Sequence, residues 1–342
     1  MAHTGNLTQN FEASLNLTAR QNIFFQHYFV HFMLYLVIGS CLCLVGLVSS
    51  VACFIAVLTF PPLKRSTNHL VANLVVINIV LSATVYPVTI VSIIHRQYAE
   101  LPVKFCDWTV YTFFVLNSLI WQESLVAVNR FVAIIYPHRY SAFSGKKGVA
   151  CTIISGYAIP FCLSLYPLTA HAPVYVSSPP FGSCRYDPRG KGLYAAFNSV
   201  LGSYVPMALT GVCYFIIFAS SFIKRHRTVT VQLPALGPPS TQARRFRVAV
   251  MLCVSFLWSL LGYLPQPVIT AFYKDLYTRY PATFFLARYA SLMGVAGSTI
   301  IYGFLNRDYR KGMCAVLFCR VRFIGQTVHA VRYHRGPAEA AS

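Results

Sequence analysis

The chain has 342 residues, of which 56% are hydrophobic and 11% charged, and its formal net charge is +20. Soluble domains carry about a quarter charged residues, so the composition points away from a soluble enzyme and toward a membrane protein. Nor does the positive charge point to nucleic acid, because it lies between apolar runs and is biased to one side of them.

In chain order, the polar head comes first. It carries two N-glycosylation sequons, at Asn6 and Asn16, reading Asn6-Leu7-Thr8 and Asn16-Leu17-Thr18. That modification takes place on the lumenal side. Residues Met1–Arg20 lack the basic start and apolar core of a cleavable signal peptide, so the first span is expected to act as its own insertion signal. Seven apolar runs follow: His31–Phe60, Leu70–Ile94, Trp108–Ile135, Val149–Ala170, Tyr194–Ile223, Val248–Phe272 and Pro281–Phe304. Each is near or above the ~20 residues that cross the hydrocarbon core as a helix. Lipid gives the backbone no hydrogen-bond partners, so open sheet and loops are not viable spans. The expected fold is an all-α membrane protein, a seven-transmembrane helix bundle. Aromatic residues make up 15% of the chain and many cluster near run ends, as an interfacial belt would.

With the head outside, the inner loops and tail hold Lys64, Arg65, Arg139, Lys146, Lys147, Lys224, Arg225, Arg227, Arg244, Arg245, Arg247, Arg307, Arg310, Lys311, Arg320, Arg322, Arg332 and Arg335. The outer side holds only Arg20, Arg96, Lys104, Arg185, Arg189, Lys191, Lys274 and Arg279. This bias sets the N-terminus outside and the C-terminus inside. The inner basic surface is also attracted to anionic headgroups of the bilayer. The expected organisation is an extracellular glycosylated segment over 1–30, a seven-helix domain over 31–304 and a cytoplasmic amphipathic helix with a basic tail over 305–342.

Several motifs sit at fixed places on this frame. The third run ends Asn129-Arg130-Phe131-Val132-Ala133-Ile134-Ile135-Tyr136-Pro137. An arginine there is costly to bury and is usually kept only where it works; its simplest alternative is snorkelling at a helix end. The stretch resembles the Asp-Arg-Tyr motif and loop proline of rhodopsin-like (class A) G-protein-coupled receptors, with Asn for Asp and Phe for Tyr. The resemblance extends over nearly the whole chain. Leu63–Asn68 resembles the first inner loop, and Asn73–Asn78 the second-span motif that normally ends in Asp. Pro167 resembles the fourth-span proline, with Tyr157 where the family has Trp. Pro206 and Tyr214 resemble the fifth-span pair. Gly262-Tyr263-Leu264-Pro265 resembles Cys-Trp-x-Pro, with Tyr263 for Trp. Ser298-Thr299-Ile300-Ile301-Tyr302 resembles Asn-Pro-x-x-Tyr, and Asn306–Lys311 the start of an amphipathic eighth helix. Asn129-Arg130 and Ile300–Gly303 also resemble melatonin-like receptors.

The resemblance implies a receptor that passes an extracellular ligand signal to a heterotrimeric G protein at the plasma membrane, with Arg130, Tyr214 and Tyr302 as the inner switch beside Asn129. It implies a disulfide between Cys106 and Cys184, both on the oxidising side; two free thiols are the alternative. Cys314 and Cys319, just after the last span, are palmitoylation candidates, or equally unmodified. Cys41, Cys43, Cys53, Cys151, Cys162, Cys213 and Cys253 are read as small packing residues.

The departures carry consequences. Ser50 stands for the first-span Asn, Asn78 for the second-span Asp and Ser298 for the seventh-span Asn. A neutral amide is a poor ligand for a hard cation, so no sodium site of the usual kind is expected; Asn78 and Ser298 remain able to bond across helices. Arg245 occupies a position where an acidic partner of Arg130 is common. Glu123 lies seven residues before Arg130, about 10 Å along the axis. An isolated carboxylate at that depth is protonated or paired, with a water or an interhelical group such as Asn78 as partner and a resting-state role as the functional reading.

For the ligand, counting from Arg130 puts Thr112 where amine receptors carry Asp, which argues against an amine. Counting from Tyr302 puts Arg288 in the outer seventh span, where its fork of donors suits a carboxylate or phosphate. Tyr86, Tyr111, Tyr263, Phe285 and Tyr289 are candidate walls, and the expected ligand is a small or lipid-like anion, with a peptide, whose C-terminal carboxylate would satisfy the same arginine, as the alternative. Outward snorkelling or pairing with Asp275 is the competing reading of Arg288. No catalytic constellation, cofactor motif or metal set appears; His27 and His31, four apart, lack a third ligand and read as interface histidines. A transporter would show repeated halves, and none is visible. A retinal protein would need a lysine in Pro281–Phe304, which has none. A receptor-like protein without G-protein coupling, or one active without ligand, fits the altered switch residues as well.

Overall fold

A computed structural model of the chain describes residues 26–60, 63, 68–98, 106–140, 145–169, 174–178, 183–186, 192–229, 241–273, 276–280 and 282–318. The sequons at Asn6 and Asn16, Asp275 and Cys319 lie outside the described residues.

Seven helices are long and apolar enough to cross a membrane: Phe29–Thr59, His69–Ile93, Trp108–Ile135, Lys146–Thr169, Leu193–Ser220, Ala249–Ile269 and Ala282–Leu305. They are called the first to seventh spans below. Each sorts its side chains by the helical period. On the first, Phe32, Tyr35, Gly39, Cys43, Gly46, Ser50 and Cys53 turn inward, while Val30, Leu34, Val37 and Leu44 stay exposed. Residues three and four apart share a face. Exposed leucine and valine are what a lipid solvent requires, since lipid chains offer no drive to bury them.

The third span is the axis of the bundle. Its apolar window is 72% buried, against 22% for the fourth, and it packs against the second, fourth, fifth and sixth spans. Close approaches depend on small residues. The Gln122 amide donates to the Ile153 carbonyl at 2.7 Å, and Gly156 leaves the space that Gln122 fills. Between the sixth and seventh spans, a Cβ on Gly262 would stand 2.8 Å from both the Ala290 carbonyl oxygen and the Gly294 Cα. Beside this seam the Trp258 indole donates to the Met293 carbonyl at 2.8 Å and lies where any side chain on Gly297 would be.

Two spans contain one wide, i to i+5 turn each, at Leu81–Val85 and Val200–Tyr204. Such turns often mark functional positions. The first places Ser82 against Gly46, and the second places Gly202 against Asn117. The seventh span runs without a break from Ala282 to Leu305, consistent with the loss of its usual proline. The eighth helix, Arg307–Leu317, is capped by Asn306, whose side chain accepts from the Asp308 amide. It buries Tyr309, Gly312 and Met313 against the C-terminal end of the first span, with Ala56 beside Gly312, and leaves Cys314 exposed.

Outside the helices, β1 (Tyr175–Ser178) and β2 (Ser183–Tyr186) form an antiparallel hairpin that pairs Tyr175 with Tyr186 and Ser177 with Cys184. A disulfide between Cys106 and Cys184 fastens it to the third span. The hairpin is an element the apolar runs did not announce.

Candidate functional site

Polar groups gather at two levels of the bundle, called inner toward the Ile135 end of the third span and outer toward its Trp108 end. At the inner level, Arg130 is 4% exposed and Asn129 3%. Both side-chain amide atoms of Asn129 and the Nε and Nη2 of Arg130 are buried without a hydrogen-bond partner. Buried polar atoms are normally satisfied, and each exception calls for a reason. Arg245 belongs to the helix Thr241–Tyr263, but its side chain is not among those described.

One to two turns from Arg130 along the third span, Glu123, Val126, Tyr214, Leu252, Ser255 and Tyr302, with Leu74 and Phe256, surround a cavity of about 10 Å³. That is space for one water at most. The structure thus brings Tyr214, Tyr302 and Glu123 together, while Arg130 sits below the cavity, within electrostatic reach of Tyr214 and Tyr309. Tyr214 lies against the Phe256 ring at 6.1 Å and Tyr302 against Tyr309 at 6.1 Å.

The carboxyl of Glu123 accepts from Ser259 of the sixth span at 3.1 Å. Its partner is therefore this serine and not Asn78, whose amide donates to Ser298 at 3.0 Å. The reason is rotational: Glu123 faces the sixth span, and Asn78 faces the seventh. The first and seventh spans are tied by Ser49 and Ser50, each 3.2 Å from the Thr299 hydroxyl. So Thr299, standing in the motif's proline position, supplies a crosslink where proline would supply a kink.

At the outer level, Arg288 points its guanidinium over the Phe284 ring, 5.3 Å from the centroid. It lies within electrostatic reach of the Tyr35, Tyr86 and Tyr277 hydroxyls. Phe285 is buried between Phe32 at 5.0 Å and Tyr35 at 5.8 Å, with His31 at 6.1 Å. Tyr289 packs on Tyr35 at 5.6 Å, and its hydroxyl is buried without a partner. Tyr86 donates weakly to the Ser291 carbonyl at 3.4 Å, and its hydroxyl is within hydrogen-bonding reach of the Tyr263 hydroxyl. Arg288, Tyr86, Tyr289 and Phe285 therefore form one cluster. Tyr111 stands apart, beside Trp108 at 4.7 Å and 3.4 Å from the Thr84 hydroxyl. Thr112 spends its hydroxyl on the Trp108 carbonyl at 3.2 Å. His27 stacks edge-on to Tyr28.

Sequence reasoning missed Ser259, Tyr35 and a polar chain beneath the hairpin. There, Asn117 of the third span donates to Asn198 of the fifth at 3.1 Å, and Asn198 donates to the Tyr186 hydroxyl at 2.7 Å. The available signal was polarity itself: an asparagine inside an apolar span has to find a partner.

The family described as 7 transmembrane receptor (rhodopsin family) matches residues 49–293. Among relatives, the G-protein coupled receptor 84 of Bos taurus is 25% identical over 189 residues, 55% of this chain and 46% of that protein, so the match spans less than half of its length. The melatonin receptor type 1A of Mus musculus is 23% identical over 252 residues, 73% of this chain and 70% of the relative. The neuropeptide FF receptor 1 of Homo sapiens is 26% identical over 351 residues, 92% of this chain and 78% of the relative. The chain is a multi-pass membrane protein of a receptor family, not an enzyme family, and it belongs to the rhodopsin family of seven-transmembrane receptors.

Proposed function

We propose that this receptor sits in the plasma membrane with its N-terminus outside and transduces an extracellular ligand to a heterotrimeric G protein. The observation that carries the inner half of this reading is the unsatisfied, buried Asn129-Arg130 pair below the cavity that Tyr214 and Tyr302 share. A buried guanidinium with two of its nitrogens unpaired costs stability where it stands. It repays that cost only when another state supplies acceptors. An opened inner end that admits a helix terminus of the G protein supplies them, because exposed carbonyls at a helix end suit an arginine fork. Glu123, held by Ser259, links the third and sixth spans and favours the closed arrangement. Nucleotide exchange on purified G proteins, at equal surface expression, tests this: Arg130→Ala is expected to lose basal and stimulated exchange. Unchanged exchange in Arg130→Ala removes the switch role and leaves a receptor-like protein without coupling.

On the outer side the ligand is a small or lipid-like anion, its acid held by Arg288. Support comes from the inward placement of Arg288 among Tyr35, Tyr86 and Tyr277 and from Thr112, which gives an amine no counter-ion. An agonist of positive charge, or one indifferent to Arg288→Ala, sinks this assignment.

A further inference from the structure

The sixth span is held unequally on its two sides. Toward the seventh it is fastened at successive turns. At Gly262 the two backbones touch: a Cβ there would lie 2.8 Å from the Ala290 carbonyl oxygen and from the Gly294 Cα. The Ser291 hydroxyl points at the Gly262 carbonyl from 3.4 Å. One turn further in, the half-buried Trp258 donates its indole N–H to the Met293 carbonyl at 2.8 Å. The indole fills the space beside Gly297, where a Cβ would overlap the ring nitrogen. Deeper still, the Ser255 hydroxyl is within hydrogen-bonding reach of the Tyr302 hydroxyl.

Toward the third and fifth spans the sixth packs far less extensively. There the Glu123 carboxyl accepts from Ser259 at 3.1 Å, beside the cavity of about 10 Å³. Tyr214 and Phe256 meet ring to ring at 6.1 Å. In lipid, helices associate through close packing at small residues and through hydrogen bonds between helices, and the sixth–seventh face has both. The Trp258 bond ends on a backbone carbonyl, which cannot rotate away as a side chain can. The seventh span is itself unbroken from Ala282 to Leu305, with no proline to kink it. It is tied in turn to the first span at Thr299 and to the second at Asn78 and Ser298. To turn on this neighbour, the sixth span would have to give up contacts at several levels together.

We propose that the sixth and seventh spans move as one body, keyed by Trp258 in the socket of Gly297, and that the inner end opens where the sixth span meets the third and fifth. The keyed pair stands on its own geometry; what the movement serves rests on the coupling reading above. Trp258 is thus a positioning residue, acting through the seventh span. The Glu123–Ser259 bond is the contact that opening breaks, and Arg130, on the third span, is uncovered when the pair withdraws as a unit.

The full purified chain tests this in two ways. The first is a melting cycle. Gly297→Ala is expected to lower the melting temperature by about 2 °C or more, because the methyl displaces the indole. The same change is expected to cost clearly less in a Trp258→Ala background, where the socket is empty. Equal drops in both backgrounds overturn the key. The second is a tether. Trp258→Cys and Gly297→Cys, joined by a short thiol-reactive linker, are expected to keep G-protein nucleotide exchange within about twofold of the unlinked variant, the scatter of independent sites. Joining Glu123→Cys to Ser259→Cys is expected to lower exchange ~10-fold or more. Single-cysteine variants treated alike correct for labelling of native thiols. A tether between positions 258 and 297 that lowers exchange as far as the other one overturns the one-body movement. Should wild type and Arg130→Ala exchange nucleotide alike, the coupling reading has failed, and deuterium uptake decides instead. Ser259→Ala is then expected to speed uptake in the inner sixth and seventh spans together, and faster uptake in the sixth alone overturns the proposal.

Discussion

The two ends of the third span are held in opposite ways. At the outer end, Cys106 is covalently fixed to the hairpin, Phe113 stacks between two tyrosines, and Asn117 is bonded to Asn198. At the inner end, Asn129 and Arg130 are as deeply buried, yet four of their polar atoms have no partner. Ser124, nearly two turns before Arg130, also keeps its hydroxyl unpaired. An end whose polar groups are satisfied has nothing to gain by moving. An end whose polar groups are not satisfied gains from any state that brings donors or acceptors to it. The same helix is therefore anchored at the Cys106 end, and in the proposed reading it is poised at the Arg130 end, where a population shift between two arrangements needs only a few kcal/mol of difference.

The largest expected effect breaks the inner end. Arg130→Ala should reduce G-protein nucleotide exchange by ~10-fold or more, the factor that 1.4 kcal/mol represents, and should not lower thermal stability, because it removes an unsatisfied charge. A variant that melts earlier instead points to a partner for Arg130 and weakens the contrast. Next, Arg288→Ala should weaken an anionic agonist by about 10- to 100-fold, in line with about 1.5–3 kcal/mol for hydrogen bonds to charged groups. Arg288→Gln should recover little, since a neutral amide lacks the fork and the charge; dose–response curves for the two variants decide this.

The sixth–seventh seam sharpens the comparison by asking whether the poised end is also loosely packed. Gly262→Ala drives a methyl against backbone atoms at 2.8 Å, and overpacking typically costs about 1–3 kcal/mol. Thermal melts should show the loss, and a neutral result means that these two spans separate easily. The smallest effect is the latch. Glu123→Gln and Ser259→Ala should be coupled in a double-mutant cycle by ~0.6 kcal/mol, the usual size for polar pairs between membrane helices. Additive effects would remove the latch, and basal exchange measured on the same variants shows whether it holds the closed arrangement.

Much of this was legible in the chain. Seven runs and the family follow from hydropathy and motif spacing, because the bilayer imposes one length and one secondary structure on every span. Arg130, Tyr214 and Tyr302 were legible as positions, since each lies at a countable distance from a landmark proline or turn. Their company was not. Counting along one helix places Glu123 above Arg130 but gives no rotation of the neighbouring helices, so the choice of Ser259 over Asn78 could not be made. The walls named around Arg288 show the same limit: Tyr86, Phe285 and Tyr289 gather with it, while Tyr111 turns toward Trp108.

What the sequence determined by itself is the bundle and the residues that are costly in lipid. What only the tertiary structure decided is which of those residues meet. Asn117, Asn198 and Tyr186 are separated by up to 81 positions, and the hairpin is too short and too polar to announce itself by periodicity. Their meeting depends on a wide turn, a glycine and a disulfide that fix the rotation and depth of three elements at once. Those are relations between helices, and hydropathy, a property of each helix alone, cannot encode them.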